Sequence, residues 1–179
     1  MGSTNSFDEF VQHQQQQNAA VNWTKERDEW LRNLQRLYEE VEAFLAEYVK
    51  KNEIRLTYRP VSLHEEYIGS YEARQMLIGV GRSEILLNPV GTFIIGAWGR
   101  VDIVGPYGTA QLLLVDKSAT TTRSLIRVEV KFGEHAQVPT SCSKPIELAW
   151  KLITAPPARQ LLELSKETFY SVVIGVVNG

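Results

Sequence analysis

Thr92-Phe-Ile-Ile-Gly-Ala-Trp-Gly-Arg-Val-Asp-Ile-Val104 runs into Gly105-Pro-Tyr-Gly108 and on into Thr109-Ala-Gln-Leu-Leu-Leu-Val-Asp116; after a Ser/Thr-rich link comes Ser124-Leu-Ile-Arg-Val-Glu-Val-Lys-Phe132. The outer two runs alternate apolar with charged side chains. Successive side chains of a strand point to opposite faces, so this alternation means one buried face and one partly solvated face. Antiparallel sheets allow that arrangement, whereas parallel sheets, covered on both sides, rarely do. The stretch therefore predicts consecutive antiparallel strands.

Closing the links sets a register. Gly105–Gly108 is short enough to bring Val104 opposite Thr109, and hence Asp102 opposite Gln111. Treating 117–123 as a second hairpin link brings Asp116 opposite Ser124, and Gln111 opposite Glu129. One face then carries Trp98, Arg100, Asp102, Gln111, Arg127, Glu129 and Lys131. Val101, Ile103, Leu112, Leu114, Val128 and Val130 share the other, apolar face, and the parity is consistent along all three strands.

Outward from this centre the pattern changes twice. Toward the N-terminus, Trp30, Leu34, Leu37, Val41, Phe44 and Tyr48, flanked by Leu31, Tyr38 and Leu45, trace the wide apolar stripe of a helix over 24–51. Thr24 is its expected cap. Between helix and centre, Ile54–Tyr58 alternates and is expected to stop at Pro60. Tyr71–Val80 and Ser83–Asn88 are two further strands, joined through Gly79-Val-Gly-Arg82. Toward the C-terminus, Ile146–Leu152 alternates as a seventh strand, Pro156-Pro157 breaks the chain, and Arg159–Leu164 is a short edge strand. Phe169, Val172, Val173, Val176 and Val177 then fall at helical spacing, with Ser165 as cap and Asn178-Gly179 as stop. The β-branched residues favour a strand there, but period, cap and stop together favour a helix. The fold class is α+β: a long N-terminal helix packed on a curved antiparallel meander sheet of six to eight strands, with a C-terminal helix. Residues 1–20, with the Gln14–Gln17 run, form an expected disordered or frayed tail, and 21–179 a single domain.

Composition narrows the function classes. With 179 residues, 44% hydrophobic and 22% charged, the chain can bury a core without disulfides or metals. A net charge of −2 argues against a generic nucleic-acid partner, and no apolar run approaches the ~20 residues of a membrane span. Cys142 is the only cysteine, which excludes an internal disulfide and points to a cytoplasmic setting. His13, His64 and His135 are scattered, His64-Glu65-Glu66 reads as a surface run, and Gly79-Val-Gly81 lacks the third glycine of a dinucleotide loop. No cofactor and no metal are expected.

Gly99-Arg-Val-Asp102 followed by Glu129-Val-Lys131 resembles the metal site of PD-(D/E)xK nucleases. The resemblance implies a metal-dependent hydrolase in which Asp102 and Glu129 hold a divalent ion and Lys131 assists the attacking water. In the meander register, however, two carboxylates with a strand between them stand roughly 9–10 Å apart. One Mg²⁺ with ligands at ~2.1 Å cannot bridge that distance. The balance favours a non-enzymatic binding or interaction module whose ligand, a small molecule or a protein, meets the polar face. The hydrolase is one alternative, and a homodimeric structural component built on helix 24–51 is another.

Overall fold

The computed structural model describes residues 22–92, 97–121, 146–154 and 159–179. The chain opens with helix α1 (Trp23–Lys50), capped by Asn22, whose side chain accepts a hydrogen bond from Lys25 N at 3.1 Å. Asn22 thus takes the place expected for Thr24, which lies inside the first turn; both residue types can cap, and the bond decides between them. At the far end Asn52 has φ 59°, Asn52 N donates to Val49 O, and Glu53 N donates to Tyr48 O. These are the paired bonds that satisfy the last carbonyls of a helix ending in a left-handed residue.

Seven strands follow: β1 (Ile54–Glu65), β2 (Gly69–Val80), β3 (Ser83–Gly91), β4 (Gly99–Val104), β5 (Thr109–Asp116), β6 (Leu148–Ile153) and β7 (Leu161–Glu163). Helix α2 (Lys166–Asn178) closes the chain, its start held by reciprocal bonds between Ser165 and Thr168. The strands form one open antiparallel sheet in sequence order, as the meander predicts. Val104 pairs with Thr109, Asp102 with Gln111 and Arg100 with Leu113, as the short Gly105–Gly108 link requires.

Two expectations are corrected. β1 does not stop at Pro60 but continues in register, with Pro60 opposite Arg74, to Glu65. β1 is an edge strand, where the missing proline N–H costs no ladder bond. The ribbon also turns over there. Tyr58 and Val61 pack on the same core, as do Ala73 and Met76, although residues three apart in a regular strand face opposite ways. The second correction concerns β5. Its far neighbour is β6, with Gln111 opposite Ile153 and Leu113 opposite Lys151, so the place expected for Glu129 is taken. The 124–132 stretch lies outside the described residues, as do the 1–20 tail and Cys142.

The main core fills the space between the helices and one face of the sheet. Trp30, Leu34, Leu37, Tyr38, Val41 and Leu45 of α1 are buried on Met76, Ile78, Leu87, Val101, Ile103, Leu112 and Leu114. Phe44 and Tyr48 turn toward α2 and meet Phe169 and Tyr170, with ring centres 6.0 and 5.9 Å apart. The α1 stripe is therefore covered by the chain's own sheet and second helix. A smaller cluster, Leu113, Val115, Ala119 and Leu161, is buried on the opposite face.

Candidate functional site

The polar face predicted from the sequence separates into three places. At its centre, Arg100 and Asp102 lie two apart on β4 and so on one face. Arg100 Nε and Nη2 donate to Asp102 Oδ1 and Oδ2 at 2.7 and 2.9 Å, a two-bond fork. Asp102 stands between Asn88 and Gln111 in the register, and Asn88 Oδ1 accepts from Gln75. Both oxygens of Asp102 are committed to the guanidinium. Among the described residues, no group of three His, Cys, Asp or Glu side chains could hold a metal ion. Arg127, Glu129 and Lys131 lie outside the described residues.

At one end of the face stands Trp98, 40% exposed, with its backbone N–H donating to Leu114 O. With Trp23, Trp30, Glu26, Glu29 and Asn33 of α1 it lines a cleft of about 330 Å³. Behind Trp30 is a buried polar cluster. Glu65, 8% exposed, accepts from the Tyr71 hydroxyl, from Thr92 N at 2.9 Å and from Thr92 Oγ1 at 2.6 Å. Burial first, and then the Glu65 hydrogen bond, hold the Tyr71 phenol above its usual range. Among the described residues the buried Trp30 indole N–H has no hydrogen-bond partner, although it stands close enough to the Tyr71 hydroxyl to oppose that rise. Glu65 is thus part of the interior and not of a surface run. Its position was legible: Val61, Leu63 and Glu65 continue one alternating row once β1 is carried past Pro60.

At the other end is Gln111. It lines a groove of about 720 Å³ where β5 begins and β6 ends, under the last turns of α2. Ala110, Leu152, Ile153, Leu162, Val172 and Val176 give it apolar walls, and Thr109, Gln111, Thr154 and Arg159 supply its polar groups. Its position follows from how α2 docks. Val176 O accepts from Tyr107 N at 3.0 Å, and a Cβ on Gly105 would stand 2.4 Å from that oxygen. Only a glycine there lets the β4–β5 turn close on the helix end. On the far wall Thr154 N donates to Gln160 O and Thr154 Oγ1 accepts from Gln160 N, a clamp beside Arg159.

Arg159 was read from the sequence only as the start of an edge strand. It has φ 41°, and Asn52 is the other non-glycine residue with positive φ among the described residues. Asn52 ends a helix, a usual role for asparagine. A positive φ at arginine costs on the order of 1–3 kcal/mol and gathers at functional sites. The strained residue lies on the lining of this groove. Proline spacing (Pro156-Pro157) was the only sequence signal near it. Lys151, also not singled out by the sequence, is 3% exposed and donates Nζ to Lys117 O and Ala119 O at 2.7 and 2.6 Å. It ties the chain leaving β5 to β6 and does not reach the groove.

The chain matches no protein-family model, no curated protein and no solved structure. No helix among the described residues is long and apolar enough to cross a membrane.

Proposed function

We propose that this chain is a non-enzymatic binding module that takes a small ligand in the groove between α2 and the β5–β6 end of the sheet. The observation that carries the reading is the groove: about 720 Å³, walled mainly by apolar side chains with a few polar groups. Small-molecule sites commonly have volumes of roughly 300–1,000 Å³ and that composition. The Arg100–Asp102 fork supports the same reading, because it leaves the one described carboxylate of the nuclease-like pattern neutralised by its neighbour.

Gly175 provides the test. It lines the groove, and a Cβ built on it meets nothing within 4 Å. Gly175→Leu should therefore occupy the mouth of the groove without a clash, and replacing a helical glycine tends to stabilise. Nile red, a neutral dye that brightens in apolar surroundings, should bind the wild-type chain and bind Gly175→Leu much less, with an equal or higher melting midpoint for the variant. Equal dye binding by both proteins, or none by the wild type, would refute the groove as the site.

A further inference from the structure

We infer that the groove takes an amphiphilic monoanion, a carboxylate on an apolar chain, with Arg159 as the head-group contact; this rests on the groove being the binding site. Among the described residues, the lining carries one formal charge, the Arg159 guanidinium, and no carboxylate. Arg159 has no ion pair or side-chain hydrogen bond among the described residues. The Gln111 side-chain amide, across the groove, has no hydrogen-bond partner among them either. Two unengaged donor groups, one cationic, thus border an apolar recess. A guanidinium presents its N–H groups as a planar fork that fits a carboxylate in two parallel bonds. A single positive charge balances a carboxylate, whereas a phosphate monoester carries nearly twice that charge. Val172, Val176 and Leu152 offer the tail an apolar wall.

The backbone adds an independent point. Glycine adopts φ 41° with little strain, and arginine does not. A residue kept there for the shape of the turn alone would be better served by glycine. The strain is intelligible if the guanidinium itself is needed at the groove.

The experiment compares decanoate, decanol and decylamine as competitors of Nile red on the whole chain at pH about 8, where the carboxylate is ionised. Charge-assisted hydrogen bonding should make decanoate bind at least about tenfold more tightly than decanol, with decylamine weaker than both. Arg159→Gly and Arg159→Asn, both tolerant of positive φ, should abolish the decanoate advantage while leaving decanol unchanged. Both should also melt at or above the wild-type midpoint. Decanoate and decanol binding equally, or the decanoate advantage surviving both variants, would overturn the inference. So would a loss of affinity accompanied by a lower melting midpoint, which would make Arg159 a structural residue. If Nile red itself fails to bind, the groove reading falls; if the dye binds and the charge has no effect, only the ligand class does.

Discussion

Gly99 sits where β4 meets the indole of Trp30, and the substitution Gly99→Ala tests how tightly the helix is seated on the sheet. A Cβ at that position would lie 2.2 Å from Trp30 Cζ3 and 2.5 Å from Cε3. Carbon atoms settle at about 3.5–4.0 Å, so the ring would have to retreat by more than ~1 Å. It has nowhere easy to go. Trp30 is 1% exposed and its ring centre lies 6.0 Å from that of Trp150. Interiors packed at crystal density yield little to a displaced ring. Overpacking of this kind costs roughly 1–3 kcal/mol. For a chain of 179 residues that corresponds to a fall in the melting midpoint of roughly 2–12 °C, at about 2–4 °C per kcal/mol. The backbone does not decide the sign, since Gly99 lacks a positive φ. Urea unfolding of wild type, Gly99→Ala, Trp30→Leu and the double variant completes the argument. Trp30→Leu is itself destabilising, by less than the roughly 3–5 kcal/mol of a Trp→Ala truncation because leucine refills part of the space. Once it is gone, the added methyl should cost less by about 1 kcal/mol or more, because the two residues are in contact. A Gly99→Ala change that is neutral within about 0.5 kcal/mol in the wild-type background, or that costs the same in both backgrounds, would show that Trp30 is not tightly seated on β4.

Two further outcomes are expected. Asn22→Ala should lower stability by about 0.5–2 kcal/mol through loss of the helix cap, while Thr24→Ala should be nearly silent; the reverse order in chemical denaturation would restore Thr24 as the cap. Tyr71 should make unfolding sensitive to alkali: its folded pKa is raised above the unfolded value of about 10, so its contribution is complete below that pH and is lost as pH rises toward the folded value. Stability measured at pH about 9 and about 11 should therefore fall less steeply in Tyr71→Phe than in the wild type, and parallel declines would show that the phenol is not held protonated by the fold.

Local physics made much of this protein legible from its residues. The α1 stripe, the capped period of Lys166–Asn178 and the Asp102–Gln111 register each depend on neighbours a few positions apart, or on one short turn, and all are present in the fold. Asn22 as cap and the passage of β1 through Pro60 were finer decisions, made by one side-chain bond and by the strand's place at the sheet edge. The partner of β5 could not be read from the residues. Leu113 and Val115 accept an apolar or mixed neighbour with either 124–132 or 148–153, and a connection as long as 117–147 imposes no register. That choice brought Lys151 opposite Leu113 and placed Leu152 and Ile153 beside Gln111 in the wall of the groove. The groove itself exists only because α2 returns to the β4–β5 turn, where Gly105 and Val176 meet, and Arg159 borders a recess only once that helix is in place. Such contacts join residues far apart in the chain, and propensity and periodicity carry no information about them.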